Sequence, residues 1–316
     1  MRSLSSILKV RRGGDIGDWT EVSSGESGSN MAIAYGNNYF VIAAFAPGYV
    51  LYSQSPSVSW TRNDLPNPYV NNVYHIDYVN SYFVTTGKSG LNPNLISYSI
   101  DPTLTWSYNS SSSVITFATG VTYSSEDNLY AYSSGVHPGS IGYHGVGWGS
   151  NIGSPTSSKI VWPKQPSQSG LANIAYGNGF YMAGQTPVYY ATHPSGTWTR
   201  IFLLWTATKV RFLNNYFLVC INTTGSGIGY MYDNPTNTKN ISVIDPSFLP
   251  YDITYHKGYY VAVGAYGGGG ALWYSTDIAG PWTKATIPAI GILKGVASGG
   301  NHIVAISQSS ILVCNF

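Results

Sequence analysis

The amino-acid sequence predicts an all-β protein, and three observations support this prediction. First, Tyr, Val, Ile, Thr and Trp are frequent and favour pleated strands, while many Gly, Asn and Pro residues supply turns. Second, no long stretch has the roughly 3.6-residue period of an amphipathic helix. Third, segments with the pattern strand, tight turn, strand recur along the whole chain.

The recurring segment combines an apolar residue, an aromatic residue, a turn and a second aromatic pair. Two copies share the residues IAYGN, at positions 33–37 and 174–178. Each copy has the pattern of a β-hairpin, because apolar runs flank a tight Asn/Gly turn. Seven copies occur, and the second aromatic residue of each, or its equivalent, is one of the following: Phe40, Phe83, Tyr130, Tyr181, Phe217, Tyr260 and Ile303.

Successive copies are separated by a step of about 43 residues, which is the size of one four-stranded propeller blade. The sequence therefore predicts a seven-bladed β-propeller with four-stranded antiparallel blades over residues 17–316. The last copy is followed by too few residues for a fourth strand, whereas GDWTEV at 17–22 has no hairpin before it. We expect this N-terminal strand to join the last blade and close the ring, which removes an open sheet edge.

A second motif marks the outer hairpin turn of four repeats. Its copies are SQSPSVSW (53–60), SIDPTLTW (99–106), ATHPSGTW (191–198) and STDIAGPW (275–282). They resemble degenerate copies of the Asp-box of sialidase-type propellers, Ser-x-Asp-x-Gly-x-Thr-Trp. The best match has Ser99, Asp101, Thr105 and Trp106; the fourth copy has Ser275, Asp277 and Trp282, with Ala279 in place of Gly; Ser55 and His193 replace the Asp in the other two.

The resemblance implies that the Asp side chain binds backbone amides of its own turn and that the Trp packs into the sheet. We expect Trp162 to take the place of this Trp in the third repeat, while the fifth repeat has none. Asp-boxes occur in many propellers without sialidase activity, so no activity follows from them.

Too few Arg and Glu residues are present to support sialidase or other glycosidase activity. Sialidases require three Arg, a Tyr–Glu pair and an Asp, but Arg62 and Arg200 share one repeat position that we expect on the blade exterior. Asp77 and Asp252 lie near inner strands, yet no spacing pairs them as a glycosidase would need. The sequence therefore predicts a protein that is not an enzyme.

No metal or cofactor site is predicted, because the six His residues form no HxH, HExxH or His/carboxylate motif. A structural Ca²⁺ in a loop stays open as an alternative. We expect His193, His256 and His302 in solvated turns. Cys220 and Cys314 lie in apolar runs, which indicates buried thiols rather than a disulfide or a metal pair.

The segment 1–16 is predicted to be a basic arm that anchors the protein in an assembly. Its basic residues are Arg2, Lys9, Arg11 and Arg12, and with Asp15 they give about +3, against +2 for the whole chain. The remainder therefore carries about −1 and has no broad basic face for nucleic acid. We expect neither a signal peptide nor membrane insertion, because Lys9 interrupts the short apolar run and no apolar run reaches membrane-spanning length.

The connections between predicted blades carry aromatic residues that form a candidate binding face. These residues are Tyr69, Tyr74, Phe117, Trp205, Phe248 and Tyr251. Aromatic side chains with Asn, Ser and Gly suit adaptable recognition and stacking on sugar rings. The alternative is that these side chains cap the propeller core.

The charge-poor surface, the missing secretion signal and the basic arm together resemble a bacteriophage virion protein. Only 9% of the residues are charged, against roughly 25% in ordinary soluble domains. We expect a structural, non-enzymatic tail component that binds other virion proteins through its arm and contacts host surface glycans, located in the virion. The alternatives are a carbohydrate-binding lectin or adhesin and a partner-binding propeller inside a cell.

Overall fold

A computed structural model shows a ring of seven sheets, each with four antiparallel strands. It describes residues 16–23, 29–45, 48–66, 70–89, 95–109, 118–134, 144–162, 173–184, 187–202, 207–222, 226–237 and 239–316. These residues form 28 strands, and none of them forms a helix that could cross a membrane. The all-β prediction and the predicted blade number are confirmed.

The strands follow one another blade by blade, except that the first strand belongs to the last blade. The first strand is β1 (Trp19–Val22). Blade 1 contains β2 (Ser29–Gly36), β3 (Tyr39–Phe45), β4 (Tyr49–Ser53) and β5 (Thr61–Asp64). Blade 2 contains β6 (Val70–Val79), β7 (Tyr82–Ser89), β8 (Leu95–Ser99) and β9 (Ser107–Asn109). Blade 3 contains β10 (Ala118–Ser124), β11 (Leu129–Ser134), β12 (His144–Gly149) and β13 (Ser157–Trp162).

The remaining blades repeat this order. Blade 4 contains β14 (Asn173–Gly177), β15 (Phe180–Gly184), β16 (Val188–Ala191) and β17 (Thr199–Phe202). Blade 5 contains β18 (Ala207–Leu213), β19 (Tyr216–Ile221), β20 (Gly227–Tyr232) and β21 (Asn240–Ser242). Blade 6 contains β22 (Leu249–His256), β23 (Tyr259–Tyr266), β24 (Gly269–Ser275) and β25 (Thr283–Lys284). Blade 7 contains β26 (Leu293–Gly299), β27 (His302–Ser307) and β28 (Ile311–Asn315), followed spatially by β1.

The N-terminal strand closes the ring as predicted. Strand β1 pairs antiparallel with β28, with Trp19 opposite Cys314 and Val22 opposite Ile311. The core of this blade begins before the strand, because Ile16 is 1% exposed and its carbonyl oxygen accepts a hydrogen bond from Cys314 Sγ at 3.2 Å. Residues 1–15, which carry the basic residues Arg2, Lys9, Arg11 and Arg12 of the predicted arm, lie outside the described residues.

The seven predicted hairpins are the first two strands of each blade, and the first strands contact one another around the ring. Six hairpins contain a tilted aromatic pair with ring centroids 4.7–4.8 Å apart, as in Tyr35–Phe40 and Tyr78–Phe83. The turn residues Asn37 and Asn38 have φ of 45° and 63°, as a two-residue turn with the twist of the strands requires.

The glycine of IAYGN makes room for the next blade. A Cβ at Gly36 would overlap the ring of Tyr78, and one at Gly177 would overlap the ring of Phe212. In blade 7, Gly299 stands in the same relation to Tyr35. The repeated motif therefore packs the aromatic side chain of one inner strand against a glycine of the preceding inner strand.

The outer turns bind their own backbone through a side chain. Asp101 Oδ1 accepts from the amide of Thr103 at 2.8 Å, and Asp277 Oδ1 accepts from Ala279 at 2.9 Å. His193 Nδ1 accepts from Ser195 in the same manner, at 3.2 Å. The four adjoining tryptophans pack between blades, since each lies in or against a core cluster: Trp60, Trp106, Trp198 and Trp282.

Two expectations about individual residues are wrong. Trp162 ends β13 and pairs with His144, whereas the position of the hairpin Trp comes before the fourth strand, where blade 3 has Thr156. His256 is 9% exposed rather than solvated, because it ends an inner strand and its ring contacts Phe316 edge-on. Cys220 and Cys314 are both buried thiols rather than a disulfide, as predicted.

Candidate functional sites

Charged side chains meet in the central channel. When the seven first strands are aligned by register, one position holds Ala32, His75, Gly120, Asn173, Lys209, Asp252 and Gly295. The position two residues later on the same side of each strand holds Ala34, Asp77, Thr122, Ala175, Arg211, Thr254 and Ala297. Most of the residues at these two positions are small or apolar. The charged residues, which come from blades 2, 5 and 6, depart from this pattern.

These residues form one connected network across the channel. Arg211 donates two hydrogen bonds to Asp252, Nε to Oδ1 at 3.1 Å and Nη2 to Oδ2 at 2.9 Å. Its Nη1 also lies 3.5 Å from Asp77 Oδ1. Because Asp77 belongs to blade 2 and Arg211 to blade 5, the guanidinium joins blades that are not neighbours in the ring.

A histidine and a lysine extend the network. Lys209 Nζ lies 3.1 Å from His75 Nδ1, and His75 Nε2 lies 3.3 Å from Asp77 Oδ2. An ammonium can only donate, so Nδ1 accepts and the imidazole proton is assigned to Nε2, which donates to the carboxylate. The imidazole is therefore held neutral between a cation and an anion.

The electrostatics follow from burial and from these partners. Burial, together with the Lys209 charge, lowers the pKa of His75 to about 4. Burial and the Arg211 charge lower the pKa of Lys209 to about 8. Burial works to raise the pKa of Asp252, but the Arg211 charge and hydrogen bonds outweigh it and hold that pKa below its usual value.

Sequence reasoning missed this network. Asp77 and Asp252 were not expected to come together, yet Arg211 bridges them. Arg62 and Arg200 lie exposed on outer strands, as expected. A signal existed in the sequence: aligning the seven repeats places every member of the network at one of only two repeat positions. Among the described residues, no group of three or more His, Cys, Asp or Glu is arranged to hold a metal ion.

β-Bulges at one end of the channel place further side chains at its mouth. Six first strands carry one extra residue just before the first of these two positions, the one that holds His75 and Lys209, and all six extra residues are half-buried. The extra residues are Met31, Tyr74, Thr119, Thr208, Tyr251 and Lys294. This end is called the crossing face, because the links between blades enter it.

The predicted binding aromatics have different environments. Tyr74 and Tyr251 occupy bulge positions at the channel mouth, and Lys294 Nζ lies 4.2 Å from the ring centroid of Tyr251. Phe248 is fully buried and packs against Trp273, so its expected place on an exposed face is wrong. The other three predicted residues lie outside the described residues: Tyr69, Phe117 and Trp205.

The opposite face, which holds the hairpin turns, carries an open cleft on blade 5. The cleft has a volume of about 370 Å³ and is lined by Tyr216, Tyr230, Tyr232, Asn237 and Asn240. The Tyr216 ring contacts those of Tyr230 and Tyr232 edge-on, at 6.1 and 5.1 Å between centroids. Tyr232 keeps 55% of its surface exposed.

The cleft exists on blade 5 because that blade departs from the repeat. Other blades also have an edge-on pair like Tyr216–Tyr230, for example Tyr39–Tyr52 at 5.9 Å. Only blade 5 adds a third tyrosine: the register-equivalent position of Tyr232 holds Gln54, Ile100, Thr192 and Thr276 in blades 1, 2, 4 and 6.

Hydrogen bonds hold the wall of the cleft in place. Asn237 Nδ2 donates to the carbonyl oxygen of Tyr232 at 2.7 Å, and the amide of Asn234 donates to the same oxygen. From blade 4, Asn178 Nδ2 donates to Asp233 Oδ1 at 2.6 Å. The turn that follows Tyr232 is thus fixed both internally and by the neighbouring blade.

Solved propeller structures match nearly the whole chain. A catalytically inactive variant of virginiamycin B lyase from Staphylococcus aureus, with quinupristin, has 12% identity and a TM-score of 0.74 over 95% of this chain and 99% of its own. YCF48 from Cyanidioschyzon merolae has 14% identity and a TM-score of 0.67 over 94% and 98%. The WD40 β-propeller domain of Doa1 has 10% identity and a TM-score of 0.66 over 93% and 96%.

The chain is a seven-bladed β-propeller. At such low identities the likeness shows the fold alone, because unrelated functions share this architecture. No protein-family model matches the sequence, and no curated protein matches it either. The cleft and the channel are therefore the features of this chain that bear on its function.

Proposed function

We propose that this propeller is a non-enzymatic binding component of a bacteriophage tail that contacts a neutral glycan through the tyrosine cleft of blade 5. The cleft carries the proposal. Tyrosine rings offer flat apolar surfaces for the C–H faces of a sugar, and their hydroxyls and the neighbouring amides can bond to sugar hydroxyls. The five lining residues carry no charge, which favours a neutral sugar over an acidic one.

Preorganisation supports binding at this cleft. The turn that follows Tyr232 is fixed by Asn237 and by Asn178 of blade 4, so little conformational freedom is lost when a sugar binds. Burial raises the pKa of Tyr216, with Asp277 adding to the effect, so its phenol stays protonated at neutral pH.

The virion assignment rests on the charge-poor composition and on the basic arm expected at 1–16. The charge-poor composition, rich in Tyr, Ser, Asn and Gly, resembles that of extracellular adhesins and virion proteins. Partner proteins are also plausible, since a similarly folded YCF48 structure contains a D1 peptide.

A panel of neutral oligosaccharides tests the glycan proposal. Tyr232→Ala should weaken binding of any captured sugar at least about tenfold, because an exposed stacking surface is lost. Tyr108→Ala is the matched control, since Tyr108 is 48% exposed on an outer strand of blade 2. Equal binding by wild type and Tyr232→Ala would contradict the proposal. Capture of a proline-rich peptide instead of a sugar would replace the glycan with a peptide partner.

The virion part is tested by comparing the full chain with a chain that begins at Ile16. Ile16 must be kept because it is buried in blade 7. Light scattering should show that only the full chain associates with purified phage particles from the source. Association of both chains, or of neither, would contradict assembly through the basic arm.

A further inference from the structure

The outer edge of blade 5 combines an open strand with exposed apolar side chains. Strand β21 is the last of its sheet, and on its outer side it pairs with no strand that the structure describes. Ile241 is 42% exposed, and Val243, directly after the strand, is 54% exposed. An open edge presents unpaired backbone groups, and apolar side chains beside them favour pairing with a further strand.

The other blades have different side chains at the same place on their outer strands. By register, six residues of the other blades correspond to Ile241: Glu21, Arg62, Tyr108, Ser158, Arg200 and Lys284. Four of the six are charged, and a charged side chain on an edge strand opposes the addition of another strand. Blade 5 lacks this protection, since residues 240–244 carry no charge.

The two faces of this edge have different surroundings. Ser242 Oγ accepts a hydrogen bond from Trp282 Nε1 of blade 6 at 2.7 Å, and Ile244 packs against the core between blades 5 and 6. Because side chains alternate along an extended chain, Ile241 and Val243 point to the other face. A strand added beside β21 would therefore cover these two side chains and leave the contacts with blade 6 in place.

The sequence of this edge is complementary to itself. It reads KNISVID, with Ser242 at the centre. When two copies are paired antiparallel about Ser242, Ile241 of one copy lies opposite Val243 of the other. The same register brings Lys239 to the end of the edge where the other copy has Asp245. Apolar β-branched pairs and opposite charges both stabilise antiparallel strands, and a shift of one residue in either direction separates the two charges.

The two charged side chains are placed for contact with another molecule. Lys239 is exposed and forms no ion pair with any carboxylate that the structure describes. Asp245 is half-buried; its Oδ1 accepts from the amide of Ser247 at 2.8 Å, and it forms no ion pair with a described cation. An edge with a cation at one end and an anion at the other matches an antiparallel copy of itself.

We propose that two copies of this chain associate through β21, antiparallel about Ser242, and form one continuous sheet of eight strands. The same surface serves both copies, so the association closes at two. This surface is separate from the tyrosine cleft except at Asn240, which belongs to both. The dimer does not depend on what the cleft binds.

Sedimentation velocity of the full chain, from micromolar to submillimolar concentration, tests the proposal. Wild type should show a monomer–dimer equilibrium. Ile241→Lys introduces the kind of charge that other blades carry at this position, and it should weaken dimerisation at least about tenfold. Tyr108→Lys makes the same exchange at the equivalent exposed position of blade 2 and should dimerise like wild type.

The comparison has clear contrary outcomes. Both substituted side chains are exposed, so equal melting temperatures should confirm that both variants are folded. A wild type that stays monomeric would leave the edge to a strand of another protein and overturn the proposal. Unchanged dimerisation of Ile241→Lys, or its loss in Tyr108→Lys instead, would overturn it as well.

Introduced cysteines test the register directly. Ile241→Cys and Val243→Cys each provide an exposed thiol, whereas Cys220 and Cys314 are buried. Residues directly opposite in an antiparallel pair have Cα atoms about 4.5–5.5 Å apart, which a disulfide can span. Under mild oxidation, a mixture of the two variants should therefore cross-link several-fold faster than either variant alone. Equal rates for the mixture and the separate variants would contradict pairing about Ser242.

Discussion

Trp19 lies opposite Cys314 in the last blade, so a residue near the start of the described chain completes a sheet made from its end. Trp19 is 7% exposed and packs in the same core cluster as Leu312 and Leu293. The closing strand is therefore held by side-chain burial as well as by its pairing with β28.

Replacing Trp19 should destabilise the whole ring. Trp19→Ala removes a large buried side chain, and we expect a loss of about 3 kcal/mol in the free energy of unfolding, measured by urea denaturation. Thr20→Ala is the control, because Thr20 is exposed on the same strand and should change stability little. Equal midpoints for the two variants would mean that β1 contributes nothing to closure.

The glycine of IAYGN should not tolerate a methyl group. Gly36→Ala forces a Cβ into the Tyr78 ring. We therefore expect the free energy of unfolding to fall by about 2 kcal/mol, as in other proteins whose cores are overpacked by a substitution. Gly291→Ala provides the comparison, since a Cβ there meets nothing within 4 Å. Thermal denaturation should separate the two variants clearly. A Gly36→Ala protein as stable as Gly291→Ala would show that the two inner strands can move apart freely.

Breaking the guanidinium bridge should be costly. Arg211→Met leaves Asp77 and Asp252 buried near each other without their shared cation, and we expect a loss of roughly 3–5 kcal/mol. Arg62→Met removes an exposed pair with Asp64 and should cost less than about 1 kcal/mol. Urea denaturation of both variants at pH 7 measures the difference, and similar losses would mean that the channel network is not structural.

Stability should fall on mild acidification because of His75. The pKa of His75 is about 4 in the folded protein, whereas that of an unfolded histidine is roughly 6.5. Between these two pH values the imidazole is protonated in the unfolded chain and neutral in the folded one, so the free energy of unfolding falls as the pH falls. The stabilising effect is complete above about pH 6.5 and is lost as the pH falls toward 4, by about 2–3 kcal/mol.

Urea denaturation at pH 7 and pH 4.5 measures this loss. His75→Gln keeps an acceptor for Lys209 but cannot titrate, so its stability should change less between the two pH values. Burial also lowers the pKa values of His256 and His302, so these residues add a further pH-dependent loss of stability that is the same in wild type and variant. The same pH dependence in wild type and variant would remove His75 as its source.

Local patterns predicted the blades, whereas the channel depends on which blades face one another. The Asn turn at Asn37 and Asn38 and the aromatic pair Tyr35–Phe40 are local features, so the sequence identified the hairpins directly. Asp77 and Arg211 lie in blades 2 and 5, and only closure of seven units brings them together. The cleft at Tyr232 was also missed, since a single exposed tyrosine at the end of a strand has no pattern of its own.

The Asp77–Arg211 contact also has a consequence for how the protein loses its structure. Open repeat arrays fray from their end units, because each unit touches only its neighbours. Here the pairing of β1 with β28 leaves the ring without an end unit. The Asp77–Arg211 contact across the channel also joins two blades that are not neighbours. Melting of any blade would open the ring, and melting of blade 2 or blade 5 would also break this bond, so we expect the seven blades to unfold together in one cooperative transition.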